Sequence, residues 1–477
     1  MRESENIRGL GMSFSERPRE ACGIFGIDSP REEAVPFTYY GLHAVQHRGQ
    51  ESAGIAISDG HSIDVRKHMG LVDRLFAQNG IRELTAKLAI GHTRYSTTGG
   101  STLQNAQPFL LETRYGPVAL AHNGNLVNAD ELREKLLSHG AGLTSSSDSE
   151  VMVLMLAAAP GDTWLDRLAH AMQDWVGAFS LVILTVDGVF AARDPWGLRP
   201  LTVGLLPDGG HAVCSETSAL DIIGCEAVRE VHPGEVVALH DAALVVRQAL
   251  TPAKPLALCT FEHIYFSRPD SIWDDQVVYQ VRRRIGRELA IEANLDADLV
   301  VPVPDSSVPA ALGYADESGI PFEMALIKDS YIGRTFIRPD QDMRERSVYL
   351  KFNPMRSALK GKRVVLVDDS IVRGTTARHL VNNLREAGAV EVHMCITCPP
   401  ITHPCFMGVD MPTREELVAS SNSISEISDI LGTDSLHFLS LEGMMRAIGS
   451  ESGYCNACFT GVYPFEVGEA LAKERFG

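Results

Sequence analysis

The chain has 477 residues, 45% of them hydrophobic and 22% charged, with a formal net charge of -18 at pH 7. That length exceeds one ordinary core and implies two or three domains, and with no repeat, Gly/Ser linker or low-complexity tract the chain is expected to fold almost throughout. The acidic balance excludes nucleic acid as a bulk partner, because phosphate binding needs clustered Lys and Arg, and the longest apolar runs, VMVLMLAAA and AFSLVILTV, fall short of the roughly 18 residues of a membrane span.

The opening segment, MRESENIRGLGMSFSERPREA at 1–21, mixes charges of both signs and lacks the apolar stretch of a secretory signal, which predicts a cytoplasmic protein. Nine cysteines in that compartment read as free thiols, catalysis or metal binding rather than a disulfide framework. From Cys22 to about residue 250, strand-like runs alternate with Gly, Asn and Pro: CGIFGI, SAGIAI, LAIGHTRY, PVALAHNGN, FSLVILTVDGVFAARD and GEVVAL. Helical spacing shows mainly in NADELREKLLSHG and DSEVMVLMLAAA, with Asn128 or Asp148 placed to cap the first turns. This half reads as layered α+β with antiparallel sheets.

After TPAKP the pattern changes. QVVYQVRRRIGRELAIEANL is helical, ADLVVPVPDSS a strand and turn, VPAALGYADESG a helix, GKRVVLVDDS a strand, TTARHLVNNLREAG a helix and AVEVHMCIT a strand. Strands alternating with helices of this length imply βαβ units, a mostly parallel sheet and a boundary near residue 250.

The sharpest local signal is VVLVDDSIVRGTT at 364–376. Four apolar residues predict a buried parallel strand whose carboxyl end carries Asp368 and Asp369, followed by Arg373, Gly374, Thr375 and Thr376 before a helix, and open α/β sheets bind ligands at that end. A glycine-containing loop entering a helix offers N–H groups to a phosphate, and adjacent carboxylates suit Mg²⁺ or sugar hydroxyls. An isolated DDS more often caps an ordinary helix, but the full run resembles the phosphoribosyl pyrophosphate (PRPP) motif of type I phosphoribosyltransferases. That resemblance implies that the two acids hold ribose hydroxyls and metal and that 372–376 cradle the 5-phosphate. VPVPDSS at 301–307 ends another strand and offers Ser306 as a further oxygen ligand, and IKDSYIGRTFIRP supplies Lys328, Tyr331, Arg334 and Arg338 in a polar segment suited to close over a diphosphate.

In the first half, CGIFGI at 22, GLHAVQHRGQESAGI at 41, GHTRYSTTG at 91, AHNGNLVN at 121 and SSDSEVM at 146 occur in that order. Together they resemble the N-terminal-nucleophile glutaminase domain of class II amidotransferases. Joined to the phosphoribosyl motif, they identify the chain after residue 21 as similar to the glutamine PRPP amidotransferase family. The resemblance implies an αββα N-terminal-nucleophile hydrolase sandwich over 22–250, then an α/β phosphoribosyltransferase domain over 251–477 ending in a cysteine-bearing segment. The implied reaction forms 5-phosphoribosylamine, glutamate and diphosphate from PRPP, glutamine and water, the first step of purine (IMP) synthesis.

In such a family Cys22 is the nucleophile and must come first, because its own α-amine is the general base. An α-amine of pKa near 8 is about a quarter unprotonated at pH ~7.5, whereas a lysine near 10.4 is unprotonated in only about one molecule in a thousand. Residues 1–21 are therefore expected to be a propeptide cut between Ala21 and Cys22, although an isolated cysteine is more often a small buried hydrophobe. By the same resemblance Arg94 pairs with the glutamine α-carboxylate, Asp148 takes the α-ammonium, and Asn123 with the Gly124 amide forms the oxyanion hole.

Cys455 and Cys458 have C-x₂-C spacing, and Cys405 and Cys259 lie in ITHPCFMG and ALCTFEHIYF. Four thiolates suit a [4Fe-4S] cluster or tetrahedral zinc, and the resemblance implies the cluster, one per subunit, beside one Mg²⁺ held by Ser306, Asp368 and Asp369. Cys395 and Cys398 form a rival pair, but on one strand residues three apart face opposite ways, so they are assigned to the core with Cys214 and Cys225. The family also implies purine nucleotides as feedback inhibitors and a homo-oligomer, a tetramer. KDSYIGRTFI departs from an expected KNRYVGRTFI, with Asp329 and Ser330 removing one positive charge and adding a negative one. Amidotransferases that make glucosamine phosphate or asparagine share the first half but not VVLVDDSIVRGTT. A PRPP-sensing regulator without catalysis is the alternative of another class, and it predicts no glutaminase signature.

Overall fold

The computed structural model describes residues 22–77, 80–95, 100–241, 243–328, 352–411, 413–450 and 452–467. The leader, Tyr331, Arg334, Arg338 and the Asp329–Ser330 departure lie outside the described residues.

Among the described residues, thirteen strands build the first half: β1 (Gly23–Asp28), β2 (Ser52–Ser58), β3 (Ile63–Met69), β4 (Leu88–Arg94), β5 (Phe109–Thr113), β6 (Gly116–Leu126), β7 (Gly177–Thr185), β8 (Val189–Arg193), β9 (Thr202–Leu205), β10 (His211–Cys214), β11 (Glu226–Glu230), β12 (Glu235–His240) and β13 (Ala243–Gln248). They form two antiparallel sheets, ordered β11-β9-β10-β1-β4-β2-β3 and β13-β12-β8-β7-β6-β5. The helices α1 (Ala34–Ala44), α2 (Val72–Ala77), α3 (Ala129–Ser138), α4 (Asp148–Ala158), α5 (Trp164–Ala171) and α6 (Thr217–Ile222) flank them.

Three apolar layers hold this stack together. One joins α1, α2 and α6 to the seven-stranded sheet through residues such as Phe25, Leu42, Leu75 and Leu220. A middle one lies between the sheets, with Ile24, Ile90, Val182 and Val213. The third packs α3–α5 on the six-stranded sheet through Leu120, Met152, Leu168 and Phe179. Central strands buried on both faces need unbroken apolar runs, and β7, GAFSLVILT, is buried along its whole length. The result is the expected αββα sandwich.

The capping expectations need correction. Asn128 stands before α3, but its side chain bridges away, donating to the Asp174 carbonyl (2.9 Å) and accepting from Val176 N (3.1 Å). Asp148 is the first residue of α4, and the cap is Ser147, whose hydroxyl accepts from Ser149 N. That leaves the Asp148 carboxylate available for other contacts.

In the second half, β14 (Leu258–Cys259) precedes α7 (Val278–Ala293), β15 (Leu299–Pro302), α8 (Val308–Ser318), β16 (Arg363–Asp368), α9 (Thr375–Glu386), β17 (Glu391–Ile396), α10 (Ile424–Leu431), β18 (Ser435–Phe438), α11 (Leu441–Ile448) and β19 (Tyr454–Cys455). The sheet β15-β16-β17-β18 is wholly parallel, as the alternation of strand and helix requires. β17 ends at Ile396, so Cys398 lies past the strand and the opposite-face argument does not apply to it. Both Cys395 and Cys398 are nevertheless fully buried in the core. Among the described residues, no helix is long and apolar enough to cross a membrane.

Candidate functional site

Cys22 stands immediately before β1, and the register Gly23↔Thr93 between β1 and β4 brings it beside Arg94 at the end of β4. Cys22, Arg94, Tyr95, Gln107, His122, Gly124, Ser147 and Asp148 line one cavity of about 260 Å³. Four separate elements thus converge: the start of β1, the end of β4, the middle of β6 and the first turn of α4.

Burial pushes the Cys22 thiol above its ordinary value, against the nearby Arg94 charge, and its Sγ lies 3.5 Å from the Tyr95 carbonyl. A thiol held protonated in this way needs a base before it can attack anything. Asp148 differs. Burial alone would raise its carboxyl, but His122, with Nδ1 at 3.6 Å, and the Leu126 N–H at 3.1 Å hold it below the usual carboxylate range. It is therefore an anion at neutral pH, facing the same cavity as Arg94. A fixed cation and a fixed anion in one small pocket are what an amino acid's two charged groups require.

Asn123 is fully buried in β6, and neither its side-chain oxygen nor its nitrogen has a partner among the described residues. Buried amides are nearly always hydrogen-bonded, so this side chain has donor and acceptor capacity to spare, although Asn123 is not among the residues that line the cavity. At Gly124, φ is +150° and an added Cβ would lie 2.0 Å from the Ala178 carbonyl oxygen. Gly408 from the second half, with φ +90°, packs directly on the Gly124 backbone. Asn125 Nδ2 donates to the Phe406 carbonyl at 2.9 Å. The second half thus rests against the cavity wall.

The second constellation lies at the carboxyl ends of the parallel strands. Asp368 and Asp369 are almost fully buried at the end of β16. Ser306 donates to Asp369 Oδ2 at 2.6 Å, and Ser307 donates to Asp368 Oδ1 at 3.3 Å. The turns after β15 and β16 therefore meet. Lys328 forms an ion pair with Asp305 in the first of these turns. Gly374, at φ +84°, precedes α9 in the left-handed conformation that glycine adopts without strain, and Thr375 and Thr376 open the helix. The first N–H groups of any helix lack intrahelical acceptors, so this end presents donors for an anion. Arg373 pairs with Glu416 at 3.1 Å.

The four candidate cysteines also meet. Cys259, Cys405, Cys455 and Cys458 line a cavity of about 350 Å³ whose other walls, Leu198, Phe261 and Met407 among them, are apolar. Parallel pairing of β14 with β19 sets Cys259 beside Cys455, and the Cys405 sulfur accepts from Met407 N at 3.3 Å. Burial raises Cys259 to about 11 and Cys455 to about 12, so binding a metal there would release protons. Among the described residues, no three His, Cys, Asp or Glu side chains are placed to share a single ion. A [4Fe-4S] cluster held by four thiolates would be a different donor arrangement from a single ion.

His122, Gln107, Ser147 and Tyr95 were not singled out from the sequence, although three of them lie inside or beside quoted motifs. Gln107 Oε1 accepts from the His122 N–H at 2.7 Å, a contact across β6 that no local spacing announces.

Residues 92–221 match the glutamine amidotransferase domain model, and 276–407 the phosphoribosyl transferase domain model. The chain is 49% identical to the amidophosphoribosyltransferase of Synechococcus elongatus, over 98% of this chain and 96% of that one. It is 46% identical to that of Bacillus subtilis, over 94% and 95%. A solved structure of the Bacillus subtilis glutamine PRPP amidotransferase, complexed with ADP and GMP, superposes with a TM-score of 0.88 at 46% identity, covering 94% of this chain and 98% of that one. Full-length likeness in sequence and fold to proteins that join these same two domains makes the chain a member of the amidophosphoribosyltransferase family.

Proposed function

We propose that the chain transfers the amide nitrogen of glutamine to PRPP, forming 5-phosphoribosylamine, glutamate and diphosphate at the first step of purine synthesis. The observation that carries this reading is the convergence of Cys22, Arg94, Gly124 and Asp148 on one cavity, in a chain whose other half presents paired acids and a helix start at a strand end. A PRPP-sensing regulator would need only the second.

In this reading residues 1–21 are removed, 22–250 cleave glutamine and 251–477 use the ammonia. Arg94 and Asp148 hold the α-carboxylate and α-ammonium of glutamine. The freed α-amine of Cys22 takes the thiol proton, and the sulfur attacks the side-chain amide carbon. The oxyanion is held by Asn123 and the Gly124 N–H, where one donor contributes a factor of roughly 10²–10³ in rate. The carbon–nitrogen bond breaks as the α-ammonium returns its proton, ammonia leaves, and water clears the thioester as glutamate. Ammonia passes internally to C1 of PRPP, whose bond to the diphosphate oxygen breaks.

The N–H groups of Gly374, Thr375 and Thr376, with Arg373, receive the 5-phosphate, while Asp368 and Asp369 hold the ribose hydroxyls. Mg²⁺, held by Asp368, Asp369 and Ser306, would offset the charge of the diphosphate leaving group. Lys328, Tyr331 and Arg334 belong to the segment that closes over that group. The oxygen-only donor set of the acids and Ser306 fits a hard cation. The four-cysteine donor set fits a [4Fe-4S] cluster better than one zinc ion, and its place beside the paired β14 and β19 would make a cluster a staple for the C-terminal segment. A cytoplasmic homo-oligomer, inhibited by purine nucleotides, completes the reading.

The test is a Cys22→Ala variant assayed with either nitrogen source. It should lose glutamine-dependent synthesis while still using ammonia. Equal loss of both contradicts two separate sites.

A further inference from the structure

One buried charge network joins the nucleophile to the other half of the chain. Arg48, with no exposed surface, donates from Nε to the Cys22 carbonyl at 3.3 Å. Its Nη1 donates to Glu216 Oε1 at 2.6 Å and to Glu262 Oε2 at 2.9 Å, and its Nη2 to Glu262 Oε1 at 2.6 Å. Glu216 belongs to the first half, just before α6. Glu262 belongs to the second, at the start of a wide helical turn, Glu262–Phe266, that follows β14.

Glu262 is itself held from several sides. Ser267 donates to its Oε2 at 2.7 Å, and Arg199 Nη1 lies 3.4 Å from its Oε1. Arg282 on α7 clamps both ends of the turn, donating to the carbonyls of His263 and Ser267 at 2.7 Å each. Stability alone does not account for such an arrangement, because buried ion pairs are often matched or bettered by apolar residues of the same volume. The network fixes the carbonyl oxygen of Cys22 and, through it, the main chain that carries the thiol and α-amine the proposed reaction uses.

We infer that Glu262 is a positioning residue for glutamine cleavage: from the second half it holds Arg48 against the Cys22 carbonyl, and so sets the orientation of the nucleophile's main chain and α-amine. Glutamine cleavage in the first half then depends on a carboxylate supplied by the second. Glu262 touches no substrate. It acts through Arg48, and the inference rests on the reading of Cys22 given above.

A misplacement of about an ångström can cost on the order of a hundredfold in rate. In the full-length chain, Glu262→Gln should therefore lower the glutamine-dependent kcat at least about tenfold, with the KM for glutamine and the ammonia-dependent rate each within about twofold. Parallel loss of glutamine- and ammonia-dependent rates, or wild-type glutamine turnover, overturns the inference. Ser267→Ala removes one bond to the carboxylate and leaves no charge unpaired, and it decides the matter if Glu262→Gln does not fold. Its expected result is a roughly two- to fivefold loss confined to glutamine-dependent kcat, and an unchanged ratio of the two activities overturns the inference. Cys22→Ala separates the two failures: full glutamine activity in that variant would remove the reading itself.

Discussion

Replacing Asn123 by alanine sets function and stability against each other. Both polar atoms of the Asn123 side chain are buried without a partner among the described residues, and a buried unsatisfied polar group costs about 1–3 kcal/mol. Truncation removes that cost and leaves a space of about 25 Å³, which at about 24 cal/mol per Å³ is worth only ~0.6 kcal/mol of destabilisation. Asn123→Ala is thus expected to be as stable as wild type or more stable by up to about 2 kcal/mol. Without the oxyanion donor, glutamine hydrolysis should fall by roughly 10²–10³ in kcat. Glutamate release measures the first effect, ammonia-dependent synthesis serves as the internal control, and urea unfolding measures stability. A variant that loses stability by more than about 2 kcal/mol, or keeps hydrolysis within about threefold, refutes the argument that the unpaired amide is reserved for the reaction.

Three further outcomes follow from the geometry. Asp368→Asn should abolish synthesis from both glutamine and ammonia while leaving glutamate release measurable, and retained ammonia turnover would remove Asp368 from the PRPP site. At Gly408 a Cβ would meet the Gly124 carbonyl carbon at 2.8 Å with φ at +90°, so Gly408→Ala should cost about 1–3 kcal/mol and lower glutamine-dependent turnover more than ammonia-dependent turnover. Equal effects would show that Gly124 does not feel that contact. Burial alone would raise the Glu262 carboxyl, but Arg48 holds it below its usual range. Its stabilisation is therefore fully present above about pH 4.3, the ordinary glutamate value, and is lost as pH falls through the lower folded-state value. The stability gap between wild type and Glu262→Gln should be constant from about pH 5 to 8 and close below about pH 4, and a gap that widens on acidification would contradict the sign.

The central strands of both halves were legible because burial on two faces demands apolar runs, as in β7 and β16. Edge strands were not: β3 reads IDVRKHM and β13 ALVVRQ, with solvent on one side and no clean alternation. Helix α1, AVPFTYYGLHA, carries aromatics and a proline that favour other conformations, and its packing against β1 and β4 overrides that preference. The phosphate loop was readable because strand, acids, glycine and helix are contiguous. The Arg48–Glu216–Glu262–Arg199 network was not, because its members lie far apart along the chain and each alone resembles an ordinary surface charge. Arg48 lies inside a quoted motif, yet nothing in the spacing names its partners.

The account depends on Cys22 having a free α-amine, and intact-mass analysis of fully active protein tests that directly. The expected mass is that of a chain beginning at Cys22, with activity rising in step with the processed fraction. Full glutamine-dependent activity in protein that still carries residues 1–21 would contradict it.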